Sequence, residues 1–302
     1  MLADWAHTPV LLDEVVEHLR LRPGAHCLDA TINGGGHAAA ILAATAPTGR
    51  VLGIDRDPQV LNLLRSRLSA EIESGRLEVV IGNFRDLAEI LAGRDSPRLD
   101  AALFDLGISS FHFDASGRGF SFGKDEPLDM RFDPTDADLE TAAMLVANRH
   151  AVELTALFRD YGEERFASRV ARAIVARRAK SPIVSTGQLL DVITTALPAN
   201  LRWRAARHAA RIFQALRIAV NRELDAIAAA LPQAVSALAP AGRIAVISFH
   251  SLEDRLVKHG FRDHERAGAL RIITRKPIRP SEAEVAANPR AASAKLRVAE
   301  RI

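Results

Sequence analysis

Residues Cys27–His37 read Cys-Leu-Asp-Ala-Thr-Ile-Asn-Gly-Gly-Gly-His, and this stretch decides the fold. It predicts the end of an apolar strand, an acidic residue, a turn with three consecutive glycines and the start of an Ala-rich helix. Glycine permits positive φ and the close approach of a ligand, and the helix that follows presents backbone N–H groups. Nineteen residues beyond Gly36, the strand Val51–Ile54 ends at Asp55, whose carboxylate suits the hydroxyl pair of a ribose. The layout predicts a nucleotide-type cofactor site at the carboxyl edge of a parallel sheet.

Charge distinguishes two classes of cofactor for this turn. Residues Gly34–Ala39 fit the spacing G-x-G-x-x-A, so spacing alone permits a dinucleotide. Asp29 lies just before the turn, however, and Asp105 ends a later predicted strand. Carboxylates at successive strand ends would repel a pyrophosphate, but they suit a ligand that carries an amino group and a sulfonium. The residues therefore favour S-adenosylmethionine (AdoMet).

Composition sets the broad class of the protein. The 302 residues are 48% hydrophobic and 25% charged, which is typical of a globular chain of one large or two ordinary domains. The net charge of +3 is small, and the single Cys27 excludes an intrachain disulfide framework and a zinc site built from cysteines. The first twenty residues contain four acids and no apolar signal-peptide core, and no apolar run approaches the roughly 20 residues of a membrane span. We expect a cytoplasmic protein with no membrane partner.

Strand and helix patterns alternate in the first third of the chain, which predicts a doubly wound parallel sheet. The predicted segments are 26–30, 37–45, 50–55, 57–70, 77–81, 85–92 and 100–105. From residue 137 to about residue 231 the pattern is helical, and a strand returns only at Arg243–Phe249. We therefore expect a Rossmann-like α/β domain, 1–112 and 216–302, with an inserted all-helical domain, 113–215, for substrate recognition.

Two other motifs follow predicted strands. Phe84 follows the third strand, where its ring could flank an adenine or belong to the core. His250, Glu253 and Asp254 follow the strand at Arg243–Phe249 but form a weak metal motif, because no second His completes a ligand set. We predict no metal site.

Positive charge clusters within the expected insertion. Residues 159–180 contain seven Lys or Arg against three acids, and residues 202–222 contain six Arg and no acid. Such runs are common on solvated helix faces, but an acid-free stretch is also typical of a surface that contacts phosphates. Both interpretations stay open at this point.

Eight motifs stand in the order of one known family. They are Asp29-Ala-Thr-Ile-Asn-Gly-Gly-Gly-His, Gly53-Ile-Asp-Arg-Asp-Pro, Asp105-Leu-Gly-Ile-Ser-Ser, Arg118-Gly-Phe-Ser-Phe, Pro127-Leu-Asp-Met-Arg, Tyr161-Gly-Glu-Glu-Arg-Phe, Phe213-Gln-Ala-Leu-Arg-Ile-Ala-Val-Asn and Ser248-Phe-His-Ser-Leu-Glu-Asp-Arg. The chain resembles the bacterial ribosomal small subunit methyltransferase H family, the 16S rRNA cytosine-N4 methyltransferases, over residues 7–301. The resemblance implies an AdoMet-dependent Rossmann-like domain with a helical insertion and methylation of one cytosine in the decoding region of 16S rRNA.

The resemblance also implies which residues contact the cofactor. The matching positions in this sequence are Gly35, Gly36, His37, Asp55, Phe84, Asp105 and His112. Two positions depart from the family pattern: Asn33 stands where Gly is usual, and His112 stands where Gln is usual. Because Asn tolerates the left-handed conformation, we expect the turn at Asn33 to be preserved.

Asp105 is the catalytic candidate. Methylation at cytosine C5 uses a Cys nucleophile, and the lone Cys27 lies in an apolar strand, which argues against that route. The exocyclic N4 is a weak nucleophile, so it must be aligned with the methyl donor and must find an acceptor for its N–H. Asp105, or a backbone carbonyl in residues 106–109, suits this role.

Two other classes of function share part of this pattern. An NAD-linked oxidoreductase would share the glycine-rich spacing, and a non-catalytic RNA-binding factor would retain an AdoMet-like pocket. The expected partner is 16S rRNA, within the small ribosomal subunit or free, and the oligomeric state stays open between a monomer and a homodimer.

Overall fold

The computed structural model describes residues 9–94 and 98–302, which form two compact units. Unit 1 consists of the described residues up to Ser109 together with Leu224–Ile302, and unit 2 is Ser110–Glu223. The expected division after residue 112 lies close to the first junction, whereas the one after residue 215 falls inside a continuous helix, Ala205–Asn221. Residues 1–8, at the start of the expected first domain and of the family resemblance, lie outside the described residues.

The helices and strands follow the predicted alternation. The helices are α1 (Leu12–Leu19), α2 (Gly36–Ala44), α3 (Pro58–Arg67), α4 (Ser69–Glu73), α5 (Leu87–Ala92), α6 (Ser110–Asp114), α7 (Ala142–Asn148), α8 (Ala151–Asp160), α9 (Ala167–Arg178), α10 (Thr186–Ala196), α11 (Ala205–Asn221), α12 (Glu223–Ala237), α13 (Ser251–Arg266) and α14 (Glu282–Ala287). The strands are β1 (His26–Asp29), β2 (Arg50–Asp55), β3 (Leu77–Ile81), β4 (Leu99–Asp105), β5 (Leu238–Ser248), β6 (Leu270–Ile272) and β7 (Lys295–Arg301).

Unit 1 is built on one sheet with the order β3-β2-β1-β4-β5-β7-β6. The strands from β3 to β5 are parallel, and β7 runs antiparallel to both β5 and β6. Successive side chains of a strand point to opposite faces, so Cys27 packs with α1 and α2 while Leu28 packs with α5, α12 and α13. Apolar helices therefore cover both faces, which confirms the predicted doubly wound α/β sheet.

Local signals explain where several elements begin and end. Asp57 caps α3 as its sequence position suggests, since its side chain accepts the Gln59 N–H at 2.9 Å and Pro58 occupies the first turn. The helix predicted over 57–70 is divided at Leu68 into α3 and α4. Strand β5 begins earlier than predicted, at Leu238, but it is irregular there and residues 239–242 have no partner in its ladder with β4.

Unit 2 is helical, as predicted for the insertion. Helices α8 to α11 each bury an apolar stripe, with Leu154, Ile174, Ile193 and Leu216 fully enclosed. In the ranges that the structure describes, no helix combines the length and apolar character needed to cross a bilayer.

Candidate active site

Three aspartates end three neighbouring strands of unit 1. Asp29 ends β1, Asp55 ends β2 and Asp105 ends β4, and β1 lies between the other two in the sheet. Asp29 and Asp105 are only 1% and 5% exposed, and Asp55 is partly exposed. The carboxyl edge of the sheet is therefore a concentrated and largely buried acidic site.

The turn after β1 joins these strand ends through hydrogen bonds. The Asn33 N–H donates to Asp55 Oδ2 at 3.1 Å, and the Asn33 side-chain amide donates to the Thr31 carbonyl at 2.9 Å. Thr31 Oγ1 accepts the backbone N–H of Asp105 at 2.6 Å. Asn33 has φ of 47°, which confirms that it takes the left-handed conformation at the position where the resembled family has Gly.

The glycines of the turn are required by packing as well as by conformation. Gly35 has φ of 77°, and a Cβ there would lie 2.4 Å from Cδ1 of Leu64. A Cβ on Gly36 would lie 3.0 Å from the ring of Pro9. The sequence suggested positive φ and close approach of a ligand. The structure confirms positive φ at Gly35 and places the side chains of Leu64 and Pro9 against these two positions.

Burial makes the three carboxyl groups hard to ionise. It raises the pKa of Asp29 to about 7, with a further rise from Asp55 and an opposing effect of the Thr31 N–H. It likewise raises the pKa of Asp55 to about 7, against the backbone N–H bonds that favour its charged form. The pKa of Asp105 is raised well above its usual range by burial first and then by Asp29 and Glu253.

His37 joins the acidic site to the helix that follows the turn. Its Nε2 lies 3.0 Å from the Val10 carbonyl, and its Nδ1 lies 3.6 Å from Oδ2 of Asp105. Because a carbonyl only accepts hydrogen bonds, Nε2 carries a proton, and the other ring nitrogen faces the Asp105 carboxyl group. The predicted cofactor residue His37 thus also lies beside the Asp105 carboxyl group.

Glu253 is a member of this charged group that the sequence analysis considered only as part of a weak metal motif. Its carboxylate accepts the backbone N–H of His250 at 3.2 Å, and its own N–H donates to His250 Nδ1 at 3.3 Å. These bonds form a capping box at the start of α13. The motif at Ser248–Asp254 therefore has a structural role in capping, and Glu253 adds negative charge near Asp105.

The residues at this edge fit a cationic cofactor. Asp29 Oδ2 and Asp105 Oδ1 are buried and have no hydrogen-bond partner in the described part of the chain. Both oxygens of Asp55 accept backbone N–H bonds, but a carboxylate retains further lone pairs for hydroxyl groups. Ammonium and sulfonium charges would stabilise the ionised carboxylates, whereas a pyrophosphate would meet the three acids of these strand ends.

Phe84 and His112 are the remaining residues predicted to contact the cofactor, and both pack against aromatic side chains. Phe84 is partly exposed and packs edge-on against Phe104, with ring centroids 5.7 Å apart, so it serves the core at least in part. His112 belongs to unit 2, where its buried ring packs against Phe120 and Phe132 at centroid distances of 5.0 and 5.1 Å. Cofactor contact by either residue stays a prediction.

The arginines of residues 202–222 differ in exposure. Arg202, Arg204, Arg207 and Arg222 are exposed, and Arg211 is partly exposed. Arg217 is 11% exposed and makes two 2.8 Å bonds to the Glu223 carboxylate, so it is not available to a phosphate. The acid that pairs with it lies one residue beyond the acid-free stretch, which explains why counting charges within the stretch overestimates the available arginines.

Comparison with known proteins decides the family. The sequence profile of the MraW methylase family matches residues 4–302. The chain is 45% identical to the ribosomal RNA small subunit methyltransferase H of Heliobacterium mobile over 99% of this chain and 100% of that protein. It is 49% identical to the protein of the same name from a Cyanothece species, covering 99% and 96% of the two chains.

The chain belongs to the MraW methylase family. This membership confirms the resemblance stated from the motifs, the Rossmann-like methyltransferase fold and AdoMet as the cofactor. Among solved structures, a rRNA methylase from Streptococcus thermophilus is similar with a TM-score of 0.44 and 12% identity, over 96% of this chain and 93% of that one. The seven positions assigned to cofactor contact stay predictions within the MraW methylase family.

Proposed function

We propose that this protein transfers a methyl group from AdoMet to the exocyclic N4 of a specific cytosine in the decoding region of 16S rRNA. The relatives named ribosomal RNA small subunit methyltransferase H support rRNA as the substrate. The observation that carries the chemistry is the buried Asp105 carboxyl group at the end of β4, with one oxygen unpartnered in the described chain and the other facing His37.

The proposed role of Asp105 is to accept a proton. When bound, AdoMet would supply an electrophilic methyl group, and transfer would break the methyl–sulfur bond and leave a neutral thioether. When nitrogen N4 forms its new bond to carbon, it carries one proton too many and must lose it. The Asp105 carboxylate takes that proton, and His37 at 3.6 Å stabilises the protonated group through its Nδ1. Alignment of N4 and removal of its proton are the two contributions that this weak nucleophile needs.

The environment of Cys27 supports N4 over C5 as the target atom. C5 methylation requires a thiolate nucleophile. Cys27 is 2% exposed in strand β1, and burial, together with the charge of Asp100, raises its pKa to about 12. A thiol in this state is neither ionised nor accessible to a base.

The exposed arginines of unit 2 support an RNA substrate. Arg202, Arg204 and Arg207 lie in a stretch without acids, and exposed cations of this kind bind phosphates through release of counterions. We propose 16S rRNA within the small subunit as the partner and the cytoplasm as the location.

Transfer of a labelled methyl group from AdoMet tests this function. Purified small subunits that lack the modification are incubated with the full chain and labelled AdoMet, and the rRNA is digested to nucleosides. We expect label in N4-methylcytidine, with the Cys27→Ala variant retaining this product. Label in 5-methylcytidine, or in no nucleoside of 16S rRNA, would contradict the proposal.

A further inference from the structure

Trp203 is an exposed aromatic side chain that the cofactor site does not use. It lies in a short 3₁₀ helix, Ala199–Arg204, in unit 2, and 74% of its surface is exposed. Among the described residues it is the one aromatic side chain in the exposed class. A single exposed apolar side chain is common on protein surfaces, so the case for a ligand rests on how this ring is held and on the charge around it.

The ring is held in a fixed orientation. Its Nε1–H donates to the Asn200 carbonyl at 3.0 Å, and the Arg204 guanidinium carbon lies 4.2 Å from the ring centroid. The hydrogen bond anchors the polar edge, and the cation covers one face. With most of the surface exposed, the opposite face is presented to solvent as a preorganised flat surface.

The charge around this ring favours a polyanion. Arg202 and Arg204 flank it in sequence and Arg207 follows one turn later, and all three are exposed. Residues 199–222 contain no acid. A protein surface with many carboxylates could also meet this charge, but an exposed aromatic ring with arginines beside it is typical of surfaces on which unpaired bases stack while cations contact the backbone.

We propose that Trp203 and Arg204 form a stacking platform for an unpaired base of the RNA substrate. The proposal rests on the proposed function in that the ligand is RNA. The base stacks on the open face of Trp203, Arg204 polarises the ring from the other face, and Arg202 and Arg207 contact adjacent phosphates. Because every base has a π face, the platform selects single-stranded RNA over duplex rather than one sequence over another.

The two tryptophans of the chain allow a direct spectroscopic test. In a Trp5→Phe background, Trp203 is the sole source of tryptophan fluorescence. This full-length protein is titrated with a single-stranded RNA of about ten nucleotides, which is within the site sizes of such surfaces. An abasic chain of the same length serves as a probe of phosphate binding alone. We expect fluorescence quenching by the RNA and none by the abasic chain.

Substitutions then measure the contribution of stacking. Trp203→Ala should weaken RNA binding by roughly 5- to 150-fold, the range of one base stacked on an aromatic ring, and should leave the salt dependence unchanged. Trp203→Phe should retain part of the affinity. Val152→Ala is the matched control, because Val152 is an apolar side chain of the same unit with 80% exposure. It should bind RNA like the parent protein.

Three results would overturn the platform. They are equal quenching by the two probes, unchanged RNA affinity of Trp203→Ala, and loss of self-association rather than of RNA affinity in that variant. The failure of the proposed function is distinguishable. A parent protein that transfers methyl groups to 16S rRNA but shows no quenching refutes the platform alone, whereas quenching without methyl transfer refutes the methylation proposal alone.

Discussion

The two charged regions of the molecule, the sheet edge of unit 1 and the arginine-rich segment of unit 2, differ in the sign and in the burial of their ionisable groups. At the sheet edge of unit 1, the carboxyl groups of Asp29 and Asp105 are almost fully buried, few in number and fixed by strands and by a hydrogen-bonded turn. In unit 2, Arg202, Arg204 and Arg207 are exposed on a short helix and the start of α11. The first region is acidic and largely buried, and the second is positive and exposed to solvent.

This difference predicts how each region responds to change. Charges in a low-dielectric interior interact strongly, so one substitution at the sheet edge should have a large effect that salt hardly alters. Exposed charges are screened, so each arginine should contribute little and the sum should depend on salt.

Asp105→Asn should have the largest effect of all. The amide has nearly the same shape but cannot take a proton, so turnover should fall by roughly 10²- to 10⁴-fold, the usual contribution of a general base. AdoMet affinity should fall much less. Steady-state kinetics and calorimetry on the same preparation separate the two effects, and a loss of affinity in full proportion to activity would make Asp105 a cofactor ligand only.

Asp55→Ala should weaken AdoMet binding by roughly 1.5–3 kcal/mol, the range for hydrogen bonds to a charged group. The variant also removes the acceptor of the Asn33 and Asp57 N–H groups, so its thermal stability must be compared with that of the parent protein. Asp55→Asn is the control that retains an acceptor oxygen and should show a smaller loss. Unaltered affinity of both variants would refute the ribose contact.

Replacement of Arg202, Arg204 and Arg207 together by Gln should weaken RNA binding in a salt-dependent way. With about 0.7 ions released per phosphate contact to a single strand, the slope of log affinity against log salt should flatten by about 2. AdoMet affinity should not change. Three exposed arginines of unit 1, Arg50, Arg65 and Arg85, give a control of equal charge. If both triple variants have the same slope of log affinity against log salt, the unit 2 arginines form a solvated helix face and do not contact the RNA.

Asn33→Gly should have the smallest effect. Glycine accepts φ of 47° without strain, but it loses the side-chain bond to Thr31 at 2.9 Å, so the two changes oppose each other. We expect a change in unfolding free energy within about 1 kcal/mol and an unchanged AdoMet affinity. Denaturant unfolding checks the first value. A loss of several kcal/mol would show that Asn33 holds the sheet edge in a way that the turn geometry does not indicate.

The sequence predicted the sheet edge well because its signals are local. Strands ending in Asp29, Asp55 and Asp105 could be read from alternating apolar segments and their flanking residues, and the order of a doubly wound sheet brings such ends together. The left-handed conformation of Asn33 was predictable because Asn tolerates positive φ better than most residues. These features depend on a few adjacent residues and on a general rule of topology.

Features that depend on distant residues could not be predicted. The contact of His37 with Asp105 joins positions far apart in the sequence, and so does the influence of Glu253 on the pKa of Asp105. The exposure of Trp203 depends on which side of the 3₁₀ helix Ala199–Arg204 packs against the rest of unit 2. The pairing of Arg217 with Glu223 was missed for a different reason. Charges were counted over residues 202–222, and Glu223 is the next residue.

The central claim is that buried acids with raised pKa values make this edge a site for a cationic cofactor, and proton release on binding tests it most directly. Below pH 7 the carboxyl groups of Asp29 and Asp55, each with a pKa of about 7, hold protons in the free protein. A bound cation favours their ionised form, so binding must release protons, and affinity must rise as the pH rises through about 7.

Isothermal titration calorimetry with AdoMet at about pH 6, in two buffers of different ionisation enthalpy, measures the released protons. NAD titrated in the same way is the control. We expect a net release of protons with AdoMet, a higher AdoMet affinity at about pH 8, and no comparable binding of NAD. A heat that is the same in both buffers together with an affinity that does not change with pH, or NAD bound as tightly as AdoMet, would contradict it.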